Sequence, residues 1–196
     1  MNKTLEKIVL NWVPDDSKVI DLGCGDGSLL RLLADKKSVT GYGVENDPVK
    51  INLCIKNGVS VIQQDIDSGI QEYKNMGFDL AIMASSIQCL KKPKDALENI
   101  LKVANECVIT LPNFGNWELR SGLFTGKMPS SDRLPAKWYE TKNIHLCTIA
   151  DFEELCDSNR YNIKKKIYLN RHGKSSWVTD LLPNFFAAEA VYLIGK

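Results

Sequence analysis

Short apolar runs of strand length recur five times between residues 18 and 111, and a helix-like stretch separates each from the next. That alternation narrows the fold more than any other feature of the chain. Parallel neighbours cannot be joined by a tight turn; they need a crossover, and a helix is the usual one. The runs are Lys18–Leu22, Gly41–Glu45, Val59–Gln63, Phe78–Met83 and Cys107–Leu111. Leu29, Leu30, Leu32 and Leu33 give the first intervening helix an apolar face. Asp47-Pro48 reads as an N-cap with proline at the first helical position, and Gly58 stands where a left-handed residue ends that helix. Pro93 opens a further helix through Ala104. The expected fold is α/β, a doubly wound, mostly parallel sheet.

The pattern changes after Leu111. From Pro112 to Cys147 no period is evident and turn formers cluster, as in PNFGN, GKMPSSD and LPAK. A stretch of that length without regular structure is usually functional or an inserted segment. Thr148 with Asp151 three residues on forms a capping box for the helix TIADFEELC, and two more strand candidates follow, Ile163–Leu169 and Ala188–Ile194. At 196 residues the chain is expected to form one domain, with 112–147 as a lid or partner-docking insertion.

With 25 basic and 24 acidic residues the chain has no general field for nucleic acid or an anionic membrane surface. Its six cysteines are scattered without a C-x-x-C pair, so buried free thiols are expected, not a disulfide framework or a metal site. Charges at Lys3, Glu6 and Lys7 argue against a signal peptide, and no apolar run approaches the ~20 residues that span a bilayer. The expected location is the cytoplasm.

The first strand runs into a glycine loop, VIDLGCGDG at 19–27. Its G-x-G-x-G spacing places Ser28 where a dinucleotide fingerprint has its third glycine, and no G-K-[ST] is present. Asp21 and Asp26 would repel a pyrophosphate at that strand end, whereas a cationic ligand would be favoured. S-adenosylmethionine carries a sulfonium and an ammonium and no phosphate. Glu45 ends the second strand, where a carboxylate can accept from ribose hydroxyls, and Asp65 follows the third strand, placed for an adenine amino group. Asp65 with Asp67 also reads as a helix cap, and Asp26 equally as an N-cap. A dinucleotide-dependent oxidoreductase is disfavoured on the same charge grounds.

The order of elements resembles class I S-adenosylmethionine-dependent methyltransferases. That resemblance implies seven strands with the last antiparallel, and a cofactor half at 14–111. It implies a site for S-adenosylmethionine or S-adenosylhomocysteine at Asp21, Gly23, Cys24, Gly25, Glu45, Asn46, Asp65, Ile66 and Ala84. DLGCGDG, GYGVE, FDLAIMASSIQCL, P-N-F-G-x-W and W-Y-x-T-x-N-I-H-L-C-T together resemble the methionine-biosynthesis MetW family over nearly the whole chain. The resemblance implies a companion of homoserine O-acyltransferase.

The alternative is a methyltransferase acting on a small metabolite. Transfer from a sulfonium mainly requires alignment of donor and acceptor, so the lack of a nucleophile motif is compatible with it. Met83-Ala84-Ser85-Ser86 is not the N-P-P-Y motif that holds a planar amino group in base methylation. His145 is the weak candidate for a general base. Phe114, Trp117, Trp138 and Tyr139 suit an interface or pocket, or else Trp117 and Trp138 anchor the segment to the body. Asn113 is expected to face the cofactor edge, His172 to sit in a turn, and Lys164–Lys166 to be an exposed strand end.

Overall fold

The computed structural model describes residues 3–129 and 136–196, so part of the GKMPSSD and LPAK stretches lies outside the described residues. The elements run α1 (Lys3–Trp12), β1 (Lys18–Leu22), α2 (Ser28–Lys37), β2 (Thr40–Glu45), α3 (Pro48–Lys56), β3 (Ser60–Gln63), β4 (Phe78–Ala84), α4 (Pro93–Val103) and β5 (Ala104–Pro112). They continue with α5 (Trp117–Phe124), α6 (Ile149–Ser158), β6 (Asn162–Leu169), α7 (Trp177–Leu181), α8 (Pro183–Phe186) and β7 (Glu189–Gly195). One seven-stranded sheet has the order β3-β2-β1-β4-β5-β7-β6. Its first five strands are parallel, and β7 lies antiparallel between β5 and β6. This is the doubly wound sheet expected, antiparallel last strand included.

Alternation along the central strands sends side chains to two cores. Cys107, Ile109 and Leu111 of β5, with Ala190, Tyr192 and Ile194 of β7, pack against α4 and α6. Leu80 and Ile82 of β4, Val108 of β5, and Val191 and Leu193 of β7 pack on the other face against α1 and α2. Period-2 alternation on a sheet covered on both faces makes every strand residue apolar, which is why these strands read as unbroken runs. Each fully buried Leu or Ile here contributes roughly 1.5–3 kcal/mol.

The caps form as the sequence predicts. Asp47 accepts from the Val49 N–H, Gly58 has φ +70°, and Thr148 and Asp151 cap each other's backbone at α6. Four helices, α1, α5, α7 and α8, go beyond those expected from the sequence. α1 buries Leu5 and Val9 on its one apolar face. α5 buries Leu119 alone, so no period marks it, although Asn116 caps it by accepting from Glu118 N–H.

The lysines of β6 lie on an edge strand. Lys164 pairs with Glu106 at 2.6 Å and Lys166 with Glu153 at 3.3 Å, and a register shift falls between Ile163 and Lys165. Charge and irregularity of this kind keep an edge from pairing with another sheet. All six cysteines are free thiols, and Cys24, Cys54, Cys107 and Cys156 are buried. Among the described residues no helix is long and apolar enough to cross a membrane.

Candidate functional site

The loop between β1 and α2 explains its own glycine spacing. Gly23, Gly25 and Gly27 take φ values of +82°, +61° and +76°, a left-handed region that other residues enter at a cost. The loop then lies across the carboxyl ends of the strands, where open α/β sheets bind ligands. It is braced from behind by Cys54, whose thiol donates to the Gly25 carbonyl at 3.1 Å and sits 3.7 Å from the Cys24 sulfur. Burial pushes both thiols above the ordinary range, so they act as packing groups.

Two glycines of β2 make room for this arrangement. A Cβ on Gly43 would fall 2.4 Å from the Cys24 Sγ, and one on Gly41 2.8 Å from Leu30 Cδ2. A Cβ on Gly25 meets nothing within 4 Å, so there only backbone strain opposes it. We therefore expect Gly25→Ala to cost about 1 kcal/mol and Gly43→Ala about 3 kcal/mol in urea unfolding. Equal losses would mean that the loop is not seated on β2 as described.

A two-lobed cleft opens above the loop, and all nine residues expected to form the site line it. One lobe, about 490 Å³, is lined by Asp21, Gly23, Cys24, Gly25 and Ala84 together with Gln88 and Glu189. The other, about 550 Å³, is lined by Glu45, Asn46, Asp65 and Ile66, and the lobes meet over Gly23, Ala84 and Ser85. No lysine or arginine occurs among the described residues of the first lobe.

Asp21 sets the chemistry of that lobe. Its side chain is 2% exposed and its Oδ1 has no hydrogen-bond partner among the described residues. Burial raises its pKa to about 7, with the Glu45 charge adding to the rise. A buried carboxylate left with an open lone pair favours a cation placed against it and opposes a phosphate. Glu45 is nearly as buried, and it accepts from the N–H groups of Gly25 (3.0 Å), Asn46 (3.0 Å) and Asp47 (3.1 Å). It thus ties the glycine loop to the end of β2.

The two open questions about caps resolve geometrically. Asp65 accepts from the Asp67 N–H at 3.0 Å and lines the second lobe, so it caps a 3₁₀ turn at the cleft wall. Asp26 is exposed, lines the first lobe and accepts from the Ser28 N–H at 3.1 Å, but it is not the N-cap of α2, which is Gly27. That bond holds its carboxyl below the usual range.

Other expectations need correction. Asn113 does not open onto the cleft. It is fully buried, donates to the carbonyls of Ala187 (2.7 Å), Asn184 (3.1 Å) and Pro183 (3.5 Å), and accepts from Gly115 (2.9 Å) and Ile149 (3.3 Å). Trp117 and Trp138 are not anchors, being 45% and 72% exposed; Asn113, Asn116 and Leu119 hold the segment instead. His145 is exposed, with Nε2 3.3 Å from the Lys91 carbonyl oxygen, and is not among the residues lining either lobe. His172 lies in the turn expected of it, its N–H donating to Asn170 Oδ1 at 2.9 Å.

Sequence reasoning missed Gln88. It is 6% exposed, and its Nε2 donates to the Ser85 carbonyl at 2.9 Å, which fixes the amide so that Oε1 is the free atom. Ser85 holds φ +55° because its N–H donates to both the carbonyl and the hydroxyl of Thr110. Nothing in S-S-I-Q marks this locally, since the constraint comes from a neighbouring strand.

A model of the family described as methionine biosynthesis protein MetW matches residues 4–194. The chain belongs to the MetW family. It is similar to a bifunctional methionine biosynthesis protein MetXA/MetW of Rhodopirellula baltica, 28% identical over 95% of this chain. The match covers 32% of that relative, so this MetW-family chain spans about a third of its length. Among solved structures, the [4+2]-cyclase SpnF superposes with a TM-score of 0.70 at 14% identity, over 98% of this chain and 80% of that one. The plantazolicin methyltransferase BpumL, in complex with a triazolic desmethylPZN analog and SAH, gives 0.66 at 17% identity, over 98% and 81%. These likenesses are of fold, and a fold so shared leaves the chemistry to the site.

Proposed function

We propose that this chain binds S-adenosylmethionine in the two-lobed cleft and serves methionine biosynthesis as the companion of a homoserine O-acyltransferase. The observation that carries the ligand is Asp21, a buried carboxylate whose Oδ1 has no partner among the described residues, in a lobe with no lysine or arginine among its described lining. Asp21 and the Gly23–Gly25 backbone would take the cationic amino-acid end. Glu45 and Asp65 would take the ribose and adenine in the second lobe. The partner is supported by the relative that carries MetXA and MetW in one protein.

A second reading, methyl transfer to a small metabolite, is favoured by Gln88. Gln88 lines the first lobe with Asp21, and its buried Oε1 has no partner among the described residues, so a small shift would let an acceptor N–H or O–H donate to it. The deciding assay measures the acyltransferase of the same organism alone and with this chain, each with and without S-adenosylmethionine. A rate that rises with the chain, and changes again with the ligand, is expected. An unchanged rate and no complex on a sizing column would overturn the companion reading and favour the methyl-transfer one.

A further inference from the structure

The described residues between 112 and 147 present apolar area to solvent. Phe124, at the end of α5, is 92% exposed, Trp138 72% and Ile144 59%. A groove of about 290 Å³ runs between Phe114, Met128, Pro129, Trp138, Ile144 and Leu146. Single exposed apolar residues are ordinary, but a contiguous groove rimmed by tryptophan and leucine is how association sites are built.

The groove is held in place by backbone. Ile144 and His145 N–H groups both donate to the Gln88 carbonyl, at 2.9 and 3.0 Å, and the Phe114 N–H donates to the Cys147 carbonyl at 3.0 Å. Asn143 lines both the groove and the first lobe of the cleft, so the two share a wall. A preformed apolar surface loses little conformational freedom when a partner covers it.

The occupant is indicated by the relative's composition. It carries a MetXA part and a MetW part in one molecule, and this chain accounts for 32% of it. Fusion keeps two parts at high effective concentration and is of use where they meet. We infer that the groove over Phe114, Met128, Trp138, Ile144 and Leu146 is the surface that docks the homoserine O-acyltransferase. This rests on the companion reading above.

The test is calorimetric titration of the full-length acyltransferase of the same organism into this chain and three variants. Trp138→Ala and Ile144→Glu change exposed side chains of the groove. Ile55→Glu changes an equally exposed apolar residue on α3. Thermal midpoint and circular dichroism report whether each variant is folded. Both groove variants should weaken the complex at least about tenfold, and Ile55→Glu by less than about twofold. Folded groove variants that bind like the wild type would overturn the docking surface while leaving the partnership intact. A wild-type chain that forms no complex would overturn the partnership and this surface with it. Self-association of the chain that Ile144→Glu abolishes, without an acyltransferase complex, would make a second copy the occupant and overturn the assignment.

Discussion

Replacing Asp21 by asparagine is expected to weaken S-adenosylmethionine binding at least about 100-fold and, above pH 7, to make the ligand-free protein more stable. The sign follows from the raised pKa. An unfolded aspartate titrates near its ordinary 3.8, whereas folded Asp21 titrates at about 7. Between those values the folded protein holds a proton that the unfolded chain has released, so stability falls as pH rises through the window. Above it the full cost of the buried charge is present, on the order of 4 kcal/mol.

A cation bound against the ionised carboxylate offsets that cost, so wild-type affinity should climb as pH rises to about 7 and then level off. Asparagine has no charge to pair. Its affinity should fall at least about 100-fold, the scale for removing one partner of a buried charge pair. It still buries an amide with an imperfect set of partners, so the net gain in stability at pH 8 should be nearer 2 kcal/mol. Calorimetry at several pH values, with thermal midpoints of both proteins, checks each part. A wild-type midpoint that does not decline between pH 5 and 7, or a variant that binds the ligand normally, would contradict the role given to Asp21.

Asn113→Ala is the second large effect, and it should separate structure from site. The asparagine side chain makes five hydrogen bonds to backbone groups in three segments, around residues 113–116, 148–149 and 183–187. Alanine takes the partner from the Asn184 carbonyl and from the Gly115 and Ile149 N–H groups, whereas the Ala187 carbonyl keeps Asn116 and the Pro183 carbonyl keeps the Ala187 N–H. The expected loss is about 3–5 kcal/mol in urea unfolding. The protein that remains folded should bind S-adenosylmethionine as the wild type does, because Asn113 is not among the residues lining either lobe. Unchanged stability with lost binding would return Asn113 to the site.

The contrast between Asp21 and Asn113 shows where the sequence is informative. Asp21, Glu45 and Asp65 stand at the ends of recognisable strands, so topology alone carries them to one edge of the sheet. Their grouping was legible once the runs were read as parallel strands. Asn113 also follows a strand, yet whether a polar side chain opens to the cleft or is consumed by carbonyls depends on chain 74 residues away.

Gln88 was hidden for the same reason, since its orientation is set through Ser85 by Thr110 on β5. The paired glycines of GYGVE were legible in principle. Two glycines at period 2 in a strand signal close approach of another element, here α2 and the Cys24 thiol. α5 was silent because a helix that buries one residue leaves no period to read.

The central claim, a cleft built for a cationic nucleoside ligand, is tested most directly by titrating the wild-type chain at pH 7.5 with S-adenosylmethionine and, separately, with NAD. Saturable one-to-one binding of S-adenosylmethionine is expected, and no heat with NAD, whose pyrophosphate would face Asp21. Binding of NAD without S-adenosylmethionine would contradict that claim.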